Sequence, residues 1–302
     1  MRGTQAGALE EHPAREVVRT RPEPQEPIIR TRAHSSTQPG LGVVGWAFLV
    51  LCLMFLFAPL VSLVLFAFNS SDAFGLPFEG FTTRWFTELF DDGEAMDAIR
   101  TTMVVAVIVT GLSIVLGMVS AYSIARAPAR LGTVALAAHA VPLVVPWLVI
   151  GVAGLLFFQW LGMQGSLLTI VLMQTVVTFP LVTLILYSGL VGLESAVEEA
   201  GLDLGSSQLG VLVRIVLPQL ATPLVTSAVF AFISSIGNFV VTFFVSGYDA
   251  TVPIWGYSEL RHASNLPIVN AASTLMLGIN VVFFLVVVYL SRRDRDAVNT
   301  WL

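Results

Sequence analysis

Long stretches of the chain carry no charged side chain, and their limits predict its elements. No Asp, Glu, Lys or Arg lies in 33–71, 101–125, 131–193, 215–248 or 262–291. A helix needs about 20 apolar residues to cross a bilayer. Four stretches suit one crossing each, and 131–193 suits two, joined by a turn near Gln159–Ser166. Six spans are therefore predicted, at about 43–68, 98–125, 135–158, 167–190, 216–245 and 269–290. The runs are too long and too uniformly apolar for barrel strands, which alternate inward and outward residues. The predicted fold class is all-α integral membrane. Gly111, Gly117, Pro142, Pro146, Pro180, Pro218 and Pro223 fall inside the spans, where neighbouring helices can satisfy the freed backbone. Gly151, Ala153 and Gly154 would let helices approach closely.

The polar segments divide the rest. Residues 1–40, rich in Pro, Arg and Glu, are predicted to be an unstructured tail. They are not read as a secretory signal, because the apolar run after them is too long for one. Residues 41–97 hold the first span and a loop, and 98–291 a core with a loop at 194–214. Residues 292–302 form a second tail. Near 82–90, Trp85 and Glu88 suggest a short amphipathic helix for a partner or the membrane surface.

Composition sharpens the picture. Only 12% of residues are charged and 56% are hydrophobic, against about 25% charged in soluble domains. Mean hydropathy is +0.83. Lysine is absent, so all 15 basic residues are Arg. A P-loop needs its lysine and Schiff-base catalysis needs one too, so no enzyme activity is expected of this chain. Cys52, alone, can form no internal disulfide and reads as a small apolar filler. The Arg residues cluster in 2–32, at Arg126, Arg130 and Arg214, and in 292–295, against only Arg84, Arg100 and Arg261 on the other side. The positive-inside rule places both termini in the cytoplasm.

Candidate chemistry is sparse. His12, His34, His139 and His262 are scattered, with no Cys pairs, so neither a metal site nor a catalytic residue is expected. Nothing suggests nucleic acid. His139 reads as a packing residue, and Gln174 and Asn280 read as helix-contact residues. Asn238, beside Ser234, Ser235 and Gly237, suggests a polar break lining a pathway.

One loop carries a pattern. Ser195 and Glu198 have capping-box spacing, Gly205 is placed to end a helix in a left-handed conformation, and Ser206 or Ser207 can cap a second helix. Ala200 and Gly201 leave low relief on the first, which suits docking into another protein's groove. Glu199-Ala200-Gly201, then Gly205, then nine residues to Ile215, then Leu217-Pro218, resembles the EAA motif of bacterial ABC importer permeases, with Gly201 replacing an Ala.

The resemblance extends over about 41–295, through Phe179–Ser188, Val245–Gly247, Val252–Ser258 and Pro267–Leu275, to the second permease of spermidine/putrescine importers. It implies a six-span type I ABC importer transmembrane domain. It implies as partners two ATP-binding subunits carrying ATP and Mg, a second homologous permease, an external solute-binding protein and the bilayer. No cofactor belongs to this chain. Its coupling motif would be Glu199, Ala200, Gly201, Gly205, Ile215, Leu217 and Pro218. Where the polyamine members carry an acidic residue after the span-three Pro and an Asp-Asp pair in span five, this chain has Trp147 and Gly237-Asn238. These positions are the candidate pathway. They suit a neutral or anionic solute, or a monocation held against an aromatic face, better than a polyamine. A secondary transporter would need coupling-ion groups in its spans, whose charge-free stretches hold no Asp, Glu, Lys or Arg, and a structural membrane subunit would not need the motif.

Overall fold

The computed structural model describes residues 43–71, 78–262 and 266–299. The expected tail 1–40 lies outside them. By packing, the described residues divide between Leu51 and Cys52 into two units. The described part of the first is the opening of helix α1 (Val43–Ala67), where Trp46 and Phe48 are exposed.

The second unit holds the remaining elements: α2 (Arg84–Asp91), α3 (Gly93–Ala125), α4 (Ala129–Val144), α5 (Trp147–Trp160), α6 (Leu167–Val191), α7 (Ser195–Asp203) and α8 (Gln208–Val211). A π turn (Leu212–Val216) leads to α9 (Leu217–Gln219), α10 (Ala221–Ile236), α11 (Val240–Val245), α12 (Val252–His262) and α13 (Leu266–Asn299). Among the described residues there are only helices, turns and one isolated bridge, Asn69–Phe81.

Four helices are long and apolar enough to cross a membrane alone, at Val44–Ala67, Gly93–Ala125, Leu167–Val191 and Leu266–Tyr289, and there are six spans if each of two bent pairs counts as one. The bends correct the sequence reading. The third expected span is broken into α4 and α5, which meet at 95°. Val145 is extended there, the conformation that a following proline imposes. The fifth breaks twice. Gln208–Gln219 and Ala221–Ile236 meet at 80°, and Gly237-Asn238 separates α10 from α11. The second starts earlier than expected, because Asp92 caps α3 by accepting from the Ala95 N–H at 3.0 Å.

α3 and α6 form the centre. A Cβ at Gly117 of α3 would stand 2.7 Å from Val182 Cγ1 of α6, so the two backbones meet where the side chain is missing. Three clusters of buried side chains lie along α3. Trp85, Leu89, Ile99, Phe232 and Trp255 belong to the first, Val105, Phe158, Met173 and Val241 to the second, and Met118, Leu186, Val211, Val216 and Leu220 to the third. The amphipathic helix is present as α2, but Trp85 is buried and its indole donates to the Asn69 carbonyl at 2.6 Å. Its ring belongs to the core and not to a membrane surface. Cys52, read as a filler, is exposed on α1.

Candidate coupling segment and pathway

The segment from Glu194 to Pro218 folds into a compact hook. α7 ends in a Schellman arrangement, in which Gly205 N–H donates to Leu202 O at 2.9 Å and Ser206 N–H to Gly201 O at 3.1 Å. Gly205 has φ +86°, so the expected left-handed turn is present. Ser207 then caps α8, accepting from Gly210 N–H at 3.1 Å. Pro218 has no N–H for the carbonyl one turn back, and the chain widens into the π turn just before it. Gln219 Nε2 donates to the Ile215 carbonyl at 2.9 Å.

This hook brings the two ends of the motif together. A Cβ at Gly201 would lie 2.7 Å from Ile215 Cδ1. Gly201 is buried and Ile215 and Leu217 are half-buried, while Glu199, Ala200, Gly205 and Pro218 are exposed. Val197, Leu202, Leu204 and Leu209 are exposed apolar side chains on the same segment.

The expected capping box does not form, since Glu194 occupies the cap position and no side chain bonds there. Glu198 turns inward instead and is 7% exposed. One carboxylate oxygen accepts from Arg126 Nη2, and the other accepts from Arg126 Nε at 3.2 Å and from the Tyr122 hydroxyl at 3.0 Å. A two-point guanidinium–carboxylate contact is stronger and more directional than a single ion pair. Burial alone would raise the Glu198 carboxyl. The hydrogen bonds from Arg126 and Tyr122 and the guanidinium charge outweigh it and hold the group below its ordinary value. Sequence reasoning used Arg126 only as a topology marker. The available signal was a basic residue ending span two and an acidic residue in the motif loop, both on one side.

The candidate pathway residues differ in exposure. Trp147 opens α5 and is 42% exposed. Gly237 is exposed beside a mostly apolar cavity of about 570 Å³ that Phe239, Trp255, Tyr257 and Asn280 also line. Asn238 is buried, with its Oδ1 3.4 Å from Thr242 Oγ1 and its NH2 group without a partner. Behind it, Gln174 accepts from Ser235 Oγ at 2.5 Å and donates to Thr242 Oγ1 at 2.8 Å. Gln174 thus ties α6 to both sides of the α10–α11 break, the helix-contact role expected of it.

Four membrane-length helices, two bent helix pairs and a hooked inter-span helix pinned to the bundle fit a polytopic membrane transport subunit. Residues 113–296 match the family described as binding-protein-dependent transport system inner membrane component, and the chain belongs to that family. It is 31% identical over 266 residues to the putrescine transport system permease protein PotI of Escherichia coli K12, covering 84% of this chain and 94% of that one. It is 29% identical over 248 residues to the spermidine/putrescine transport system permease protein PotC of the same organism, covering 82% and 92%. A crystal structure of a bacterial ABC transporter involved in import of the acidic polysaccharide alginate has a chain that superposes with TM-score 0.58 at 14% identity, covering 82% of this chain and 93% of that one, which shows the fold. The chain is the permease component of a binding-protein-dependent ABC importer, in a multi-pass inner-membrane family.

Proposed function

We propose that this chain is one of two homologous permeases in an importer whose ATP is hydrolysed on two separate subunits. An external binding protein delivers the solute. The carrying observation is the hook at 194–218, which leaves Glu199, Ala200 and the apolar side chains of Val197, Leu202 and Leu204 exposed. An exposed, mixed apolar and acidic helix held rigidly suits docking into a groove of an ATPase. Both termini and this hook lie in the cytoplasm, as the Arg distribution supports. The solute is a small organic molecule, in keeping with the putrescine and spermidine named in the relatives. Trp147 and Gly237, the exposed two of the three candidates, contact it and supply an aromatic face without fixed charge.

Purification of the tagged chain from its native membrane tests the assembly. An ATP-binding subunit and a second permease are expected to accompany it, and Glu199→Lys is expected to lose the ATP-binding subunit. Purification of the wild type alone would overturn the proposal. With Cys52 removed, cysteines at Glu88 and His262 are expected to react with an impermeant reagent outside. One at Leu204, which is 88% exposed, is expected to react only in opened membranes.

A further inference from the structure

The hook is joined covalently to α6 through Gly192-Leu193 and to α10 through the π turn, its Val211 and Val216 pack in one cluster with Met118 and Leu186, and Ile215 is seated against Gly201. A further, polar attachment joins Glu198 to Arg126 and Tyr122, 72 and 76 residues earlier in the chain. Both partners belong to the end of α3, with Tyr122 in its last turn and Arg126 its C-cap.

α3 is suited to carry a displacement. It is one unbroken helix of 33 residues, roughly 50 Å long at 1.5 Å per residue. Its far half is fixed to the other end of the unit, where Thr102 Oγ1 accepts from Val252 N–H at 2.8 Å and Ile99 packs in the cluster of Trp85 and Trp255. The covalent routes from α7 are less direct, since one turns at Gly192-Leu193 before α6 and the other passes a π turn and an 80° bend before α10. A two-point guanidinium–carboxylate contact fixes both distance and angle.

We infer that the Arg126–Glu198–Tyr122 cluster is the pin through which displacement of α7 drives α3, making Glu198 and Arg126 positioning residues for coupling. The inference rests on the proposed docking of an ATPase on this hook. A helix docked on Glu199 and Ala200 moves as a body, and the adjacent Glu198, on its inner face, pulls the end of α3 with it. Without the pin, α7 can still be docked and moved, but the direct polar link from it to the end of α3 is gone.

The test uses the whole complex in proteoliposomes with its binding protein, and reads solute imported per ATP hydrolysed in assembled complexes. Arg126→Glu is expected to lower that ratio about tenfold, within the range usual for coupling between sites. The exchange Arg126→Glu with Glu198→Arg is expected to recover most of it. Tyr122→Phe and Arg126→Lys, which keep charge and bulk, are expected to lower it by smaller factors, and they decide the matter if Arg126→Glu does not assemble. A merely structural role would reduce the amount of complex and leave the ratio of the surviving complexes unchanged. An unchanged ratio in Tyr122→Phe and Arg126→Lys would overturn the inference. Absence of an ATPase from the wild-type complex would instead overturn the proposed function, so the two failures are separable.

Discussion

Gly201 and Ile215, fourteen positions apart, meet so closely that a Cβ on the first would stand 2.7 Å from the δ-methyl of the second. That methyl is the free end of a rotatable side chain, so one added carbon can be accommodated by turning it. Gly201→Ala is therefore expected to retain assembly and transport, in agreement with the Ala at this place in the EAA pattern. Gly201→Leu has no such outlet, because Val211 Cγ2 already lies 3.2 Å from the same point, and overpacking there displaces the hook. Retention of the ATP-binding subunit on a tagged permease measures both, and Ile215→Ala is expected to restore Gly201→Leu in part.

Gly205 offers a cleaner backbone test. Nothing lies within 4 Å of a Cβ placed there, so any effect comes from its φ of +86° and not from a clash. Gly205→Val is expected to cost about 1–3 kcal/mol locally, and Gly205→Asn noticeably less, since Asn tolerates the left-handed region. Transport in assembled complexes should rank Gly, Asn, Val. Equal transport in all three would remove the turn from the coupling path.

Acid should loosen the hook. A carboxyl whose pKa is lowered on folding, as that of Glu198 is, stabilises the folded arrangement above the ordinary glutamate range. That contribution disappears as pH falls through and below this range. Amide hydrogen exchange across 195–203, corrected for its intrinsic pH dependence, is expected to rise on acidification in the wild type. In Glu198→Gln it should be raised already at neutral pH and vary little below it. Matching profiles in the two proteins would contradict the assignment of Glu198 as the titrating group.

The polar chain at the α10–α11 break separates stability from passage. Gln174→Leu takes from the buried Ser235 hydroxyl its acceptor and from that of Thr242 its donor and is expected to cost about 1–3 kcal/mol, measured as thermal stability in detergent. Asn238→Leu breaks only one 3.4 Å contact and should cost less. Loss of transport in Asn238→Leu at near-normal stability marks a pathway residue, and retained transport marks packing.

The spans were legible because charge-free stretches report burial in lipid directly. Their bends were not, because apolarity says nothing about direction, whereas the break at Gly237-Asn238 was signalled by its polar and small residues. Proline alone did not settle it either, since Pro59, Pro142 and Pro180 sit within continuous helices while Pro146 begins a new one. Gly205 was legible because its requirement is local. Glu198 was misread for the converse reason, in that a local capping pattern competed with partners more than 70 residues away. The link from Gln174 to Thr242 and Ser235 likewise needed the fold, as no spacing within one helix encodes it.

The break at Val145-Pro146 has a consequence for hydration. The last carbonyls of α4 have no further helical turn to donate to them, and Pro146 brings no N–H. At 16 and 14 residues, α4 and α5 are each shorter than the roughly 20 residues a crossing needs. Bare carbonyls at such a depth are tolerated only against protein or against water. The corner beside Trp147 is therefore a place that hydrocarbon tails cannot seal, and a second protein surface or water has to cover it.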